Sequence, residues 1–198
     1  GVLPLLALYR ELKIDYFLQI KAQYRKADVN YNHLFQLLVF GRILFPASKL
    51  ATWRDRTRIL QHRAFSDDAV YRALPFFAEI KDALLRHLHE QVLQQYQPDT
   101  SLLYYDVTNY YWEVDREDEL RKRGVSKEHR PEPIVQMGLF LDNTGLPLSY
   151  GLFPGNTNDV ATTRPMMRML TEYLGTQQFI YVADKGMMSG MNVAQLIL

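Results

Sequence analysis

Apolar positions in the first hundred residues return at helical intervals. Leu5, Leu8, Leu12, Tyr16 and Ile20, broadened by Leu6 and Phe17, predict one helix over 5–26. A second, over 31–45, is apolar nearly all round (Leu34, Phe35, Leu37, Leu38, Val39, Phe40, Ile43, Leu44) and is expected inside a bundle. Pro46 suits the first turn of a third, roughly 46–60. Ser66, Asp67 and Asp68 suit the start of a short helix ending at Leu74. Pro75 then opens a long one, in which Phe76, Ile80, Leu84, Leu88, Val92 and Tyr96 recur every four residues until Pro98.

The period changes after residue 100. Residues 102–107, 134–141 and 146–153 are short apolar runs of strand length, and Asp142-Asn143-Thr144-Gly145 joins the last two as a hairpin. Thr162 or Thr163 is expected to cap a helix bearing Met166, Met167, Leu170 and Leu174, with Gly175 at its end. A fourth strand spans 179–183, and a final helix starts near Met191. The predicted fold class is mixed α/β. A helical domain over 1–100 precedes a domain over 101–198, built as an antiparallel three-stranded meander, a crossover helix, and a fourth strand parallel to the first.

Composition narrows the chemistry. With 47% hydrophobic and 23% charged residues, the chain is globular rather than low-complexity or disordered. No run reaches the roughly 18 apolar residues of a membrane span, and the apolar N-terminus lacks the basic flank and cleavage site of a signal peptide. Zero Cys removes disulfides, thiolate zinc sites and Cys nucleophiles, which fits a reducing, cytoplasmic setting. Formal net charge is +1, but residues 1–100 carry +4 and residues 101–198 carry −3. A basic half joined to an acidic half fits polyanion binding beside a carboxylate site.

Two of those carboxylates end apolar strands: Tyr104-Tyr105-Asp106 and Val182-Ala183-Asp184. With the fourth strand on the free edge of the first, both would emerge at one end of strands about 5 Å apart. Carboxylates that close repel unless a proton or cation lies between them. Hard oxygen donors without Cys or a suitably spaced His favour Mg²⁺ or Mn²⁺, and a pair of such ions serves in-line displacement at a phosphodiester. Each Asp taken alone reads equally as a turn residue or a helix cap.

The segments LLYYDVTNYYWE, LRKRGVSKEHRPEPIVQMGLFLDNTGLPLSYGLFPGNTNDVATT and FIYVADKGMMS resemble the DDE transposases of bacterial insertion sequences, which have an RNase H-like catalytic domain. GRILFPASKLATW and SDDAVYRAL extend the likeness into the helical half. The resemblance implies that Asp106 and Asp184 are the first two catalytic acids and hold two Mg²⁺ or Mn²⁺ ions. It implies hydrolysis at the ends of a mobile element and strand transfer into target DNA by a homodimer, with no membrane or small-molecule partner, in a bacterial cytoplasm at the nucleoid. The family's third acid, a Glu on a later helix, has no counterpart, since residues 185–198 contain no Asp or Glu. The chain is therefore expected to be a fragment, inactive in strand transfer by itself. A non-catalytic DNA-binding remnant and an RNase H-like nuclease are the alternatives.

Two basic stretches are candidate DNA contacts. Arg42, Lys49, Arg54, Arg56, Arg58 and Arg63 face one acid, Asp55, with the Ser66–Leu74 helix as a possible partner in a helix-turn-helix-like unit. Arg121, Lys122, Arg123, Lys127 and Arg130 follow the acidic run from Glu113 to Glu119. A solvated helix face and a loop laced with charge pairs are the plain readings of the two. Thr108, Asn156, Asp159 and Lys185 are candidates to line the site, although turn chemistry alone accounts for Asn156 and Asp159. The histidines have no ligand-like spacing, and the methionines read as packing.

Overall fold

The computed structural model describes residues 1–25, 29–60, 65–124, 131–174 and 180–183. They divide into two compact units, Gly1–Gln95 and Tyr96–Leu198.

In the first unit the expected helix over 5–26 is two helices, α1 (Val2–Glu11) and α2 (Ile14–Ala22), separated by Lys13 in the left-handed conformation (φ 52°). The expected stripe holds in part: Phe17 is buried and Leu5, Leu6 and Leu12 pack against the core, but Leu8, Tyr16 and Ile20 are exposed, and Tyr9 and Leu18 are buried. Leu18 lies nine positions after Tyr9, so an unbroken helix at about 100° per residue would point them in opposite directions. The break turns both onto one core with Leu34, Leu37 and Phe40 of α3 (Tyr31–Leu44). Asn30 caps α3 by accepting the His33 N–H at 3.1 Å. Contrary to the all-round apolar reading, its last turn is open to solvent, with Ile43 57% exposed.

The expected helix over 46–60 is also divided. Ser48, not Pro46, begins α4 (Lys49–Arg54) by accepting the Ala51 N–H at 3.2 Å. Arg56 then folds back to donate to the Trp53 carbonyl at 3.0 Å, and α5 (Thr57–Leu60) follows. Ser66 caps α6 (Asp67–Glu79) as expected, accepting the Ala69 N–H at 3.2 Å. Pro75 does not separate helices, because it lies inside α6, and the break comes at Ile80, before α7 (Lys81–Tyr96). A proline here removes one helical hydrogen bond. Val70, Ala73 and Phe76 hold the helix to the core on both sides of it, with the Phe76 ring 4.0 Å from that of Tyr31.

The second unit follows the predicted order. It contains β1 (Leu102–Tyr111), β2 (Ile134–Leu141), β3 (Pro147–Pro154), α8 (Asp159–Leu174) and β4 (Ile180–Ala183). The strand order is β3-β2-β1-β4, antiparallel across β3-β2-β1 and parallel between β1 and β4. Helices followed by this open mixed sheet, with a helix between β3 and β4, match the mixed α/β class and strand order expected of a partial RNase H-like domain. The helix α8 starts earlier than Thr162 or Thr163. Asn158 accepts the Val160 N–H at 3.0 Å, and the buried Thr162 hydroxyl instead donates to the Asp159 carbonyl at 2.6 Å. The strand core is Leu103, Tyr105, Val107, Phe140, Leu148, Met166 and Leu170. Tyr105 donates its hydroxyl to Thr162 at 2.7 Å, and Gly138 leaves the space that its ring fills. Gly175 and the helix expected from Met191 lie outside the described residues.

The β2–β3 hairpin depends on Asp142, fully buried. Its Oδ1 accepts from the Thr144 N–H, the Thr144 hydroxyl and the Leu146 N–H, each at 2.8 Å. Desolvation pushes the Asp142 pKa up, but these bonds and the Gly145 N–H together hold it below the usual carboxylate value. Gly145 supplies the positive φ (87°) that closes the turn. A lowered folded pKa means that this stabilisation is complete above the ordinary carboxylate range, about pH 4, and fades as pH falls through the folded value. Asp142→Asn is expected to unfold more readily at neutral pH and to show a shallower acid dependence in denaturant melts. An acid profile unchanged from the parent chain would contradict this account of the turn.

Candidate active site

Along β1 the side chains alternate between two environments. Leu103, Tyr105 and Val107 are buried, whereas Tyr104, Asp106, Thr108 and Tyr110 are exposed. Asp106 thus stands on the open face of a central strand, with Leu139 of β2 opposite it in register. On its other side β4 runs parallel, with Leu103 paired to Tyr181, Tyr104 to Val182 and Tyr105 to Ala183. The described part of β4 therefore ends one residue short of Asp184, level with the residue before Asp106. Asp184 and Lys185 lie outside the described residues, as do Arg63, Lys127 and Arg130.

Among the described residues, no group of three or more His, Cys, Asp or Glu side chains is placed to hold a metal. Asp106 contributes one exposed carboxylate, and Thr108 follows two residues along on the same face. One hard oxygen donor suits Mg²⁺ or Mn²⁺ in kind but is too few to hold it, so the fit rests on a second carboxylate.

The other site-lining candidates have structural partners. Asp159 begins α8 and accepts from the buried Gln136 amide at 3.2 Å. Asn156 is exposed in the turn between β3 and α8, where the Thr157 N–H donates to the Pro154 carbonyl at 2.9 Å. Gly155, in the same turn, is buried against the backbone carbonyls of Ile134 and Lys122, and its N–H donates to the Leu120 carbonyl at 3.1 Å. It fastens the loop that follows β1 to the ends of β2 and β3.

That loop carries the second basic stretch. Arg121 donates through both Nε and Nη2 to Asp118 at 2.6 Å, with its guanidinium 5.5 Å from the centre of the Trp112 ring. The Arg121 N–H and guanidinium together hold Asp118 below the usual carboxylate pKa. Arg123 donates to the Pro131 carbonyl at 3.2 Å and the Asp115 carbonyl at 3.3 Å. The Lys122 backbone bridges Ile134. Arg121 and Arg123 are thus engaged inside the loop, as the charge-paired reading has it.

In the helical unit the first basic stretch divides. Arg56 stacks 4.6 Å from the Trp53 ring centre and Arg58 lies 3.8 Å from that of Phe45. Arg42, Lys49 and Arg54 are exposed and carry no ion pair among the described residues. The sequence reading missed two features. One is a groove of about 630 Å³ lined by Asp15, Tyr16, Gln19, Arg25 and Asn30, which periodicity could not reveal. The other is the aromatic character of the face carrying Asp106, which was available as alternate positions from Tyr104 to Trp112.

No family model and no curated protein matches this sequence. Among solved structures, the chain is similar to the Mos1 transposase paired-end complex with the left transposon end, at 11% identity and a TM-score of 0.32. The match covers 87% of this chain and 58% of that one. The Mos1 strand transfer complex is similar at 10% identity and a TM-score of 0.30, covering 87% of this chain and 74% of that one. The chain thus spans less than two thirds of the first of these structures.

A methyl group at Gly155 would meet two backbone carbonyls, neither of which is the end of a flexible side chain. Gly155→Ala is expected to cost about 1–3 kcal/mol in urea unfolding and to release the 113–124 loop to proteolysis. Wild-type stability and protection together would show that the loop is not fastened there.

Proposed function

We propose that this chain carries the first two carboxylates, Asp106 and Asp184, of the divalent-metal site of a DNA transposase of the DDE type, of the kind found in bacterial insertion sequences. The supporting observation is the parallel register of β1 with β4. Tyr105 faces Ala183, so the two strands approach their acidic residues level with each other and running the same way. The open face on which Asp106 stands leaves its carboxylate accessible to a substrate. Mg²⁺ or Mn²⁺, when bound, supplies Lewis-acid activation of a water and stabilisation of the leaving oxygen. The part of the chain is to hold that site on the open face of β1, just past its last described pair with β4, with Tyr105, Thr162 and α8 fixing β1 from behind.

DNA is the proposed partner, as element end and as target, bound by a homodimer. Arg42, Lys49 and Arg54 are its proposed phosphate contacts, because they are exposed and not neutralised by a described acid. Arg56 and Arg58 are held on aromatic rings. No helix among the described residues is long and apolar enough to cross a membrane.

Metal binding is tested by melting the chain with and without Mn²⁺. At a hundredfold excess over Kd the ion should add about 2.7 kcal/mol, a rise of several degrees in Tm. Asp106→Asn and Asp184→Asn should each abolish that rise, and an equal rise in either variant would sink the reading. For the phosphate contacts, Arg42, Lys49 and Arg54 changed together to Ala should flatten the dependence of log K for duplex DNA on log salt by about 2–3 units. An unchanged slope would remove these residues from the interface.

A further inference from the structure

The open face of β1 is aromatic on both sides of its carboxylate. Tyr104 precedes Asp106, and Thr108 and Tyr110 follow it at alternate positions. Tyr104 is 41% and Tyr110 47% exposed. Trp112 extends the row just beyond the strand. Its N–H still donates to the Pro133 carbonyl at 2.9 Å, and it is 44% exposed with the Arg121 guanidinium against its ring.

We propose that Tyr110 and Trp112, with Arg121 beside them, form a stacking platform for unpaired DNA bases next to the phosphodiester bound at Asp106. The proposal rests on the functional reading above and adds the form of the substrate to it. Spacing favours unpaired bases. Alternate residues on a strand are about 6.8 Å apart, twice the 3.4 Å separation of successive bases in one strand of a duplex. The rings therefore match bases splayed out of a helix rather than neighbours within one. The composition of the row disfavours a covering protein element. An apolar helix laid along it would take the Asp106 carboxylate and the Thr108 hydroxyl out of water, a large cost without compensating partners. A nucleic-acid strand instead meets aromatic faces by stacking and leaves Asp106 and Thr108 to water or to the metal of the proposed site.

Single strands also tolerate the sequence variety that a stacking surface accepts, because every base has a π-face. The two bonds of Arg121 to Asp118 hold its guanidinium 5.5 Å from the centre of the Trp112 ring.

The test uses the full chain, a fluorescein-labelled oligothymidylate, a duplex of equal length and inorganic polyphosphate, all in EDTA so that metal binding plays no part. Wild type should bind the single strand in preference to the duplex and show quenching of Trp emission that is absent from Trp112→Phe. Trp112→Ala and Tyr110→Ala should each weaken single-strand binding roughly tenfold or more. Trp112→Phe should keep most of it, and polyphosphate binding should not change in any variant. Equal affinity of Trp112→Ala and wild type for the single strand would overturn the proposal. So would a preference for duplex, or a Trp112-dependent emission shift that rises with protein concentration and needs no oligonucleotide, since that marks a second copy as the occupant. Loss of the Mn²⁺ melting shift with stacking intact would instead count against the metal site alone.

Discussion

The pleat of β1 is the constraint on which the second unit depends. A strand paired on both edges must send alternate side chains to opposite faces, and here one set is Leu103, Tyr105 and Val107 while the other holds Asp106. Slipping β1 by a single residue would carry the first set into solvent and the carboxylate into the core. Register is therefore fixed by apolar burial, and the position of the candidate acid follows from it. Three features hold that register: the Phe140 ring 4.6 Å from Tyr105, the space left by Gly138, and the hydroxyl contact to Thr162.

The α/β half was legible because its signals are local and agree with one another. Short apolar runs, a strong turn at 142–145 and a helix long enough for a crossover permit few topologies, and the right-handed rule selects among them. The helical half was read less well. Spacing alone favoured a stripe through Leu8, Tyr16 and Ile20, but it cannot see that Lys13 breaks the helix and brings Tyr9 and Leu18 to one core. Pro75 and Pro46 were given the role proline usually plays at helix starts. Burial on both sides of Pro75 outweighs the one bond it removes, and a serine hydroxyl two residues after Pro46 makes the better cap.

Of the candidate site, what could be read was the chemistry of carboxylates that follow apolar runs; the expected strand over 102–107 was too short, because β1 continues to Tyr111 and Asp106 lies at its middle rather than its end. What could not was the company they keep. Charge spacing made Arg121 and Arg123 look available, whereas the fold turns them onto Asp118 and onto backbone carbonyls across the loop. Gly155 belongs to the motif that carried the family resemblance, and its reason is steric. The chain passes so near Ile134 and Lys122 that there is no room for a side chain. Such a close approach involves residues distant in sequence, so no pattern along the chain announces it.

The Tyr105–Thr162–Asp159 relay has a structural corollary. The Thr162 hydroxyl accepts from Tyr105 of the strand and donates to the Asp159 carbonyl in the first turn of its own helix, so strand and helix are joined at a buried point. The bond reaches β1 one residue before Asp106. A substitution that deletes the Thr162 hydroxyl therefore removes a buried strand-to-helix bond next to the candidate acid, without touching the acid itself.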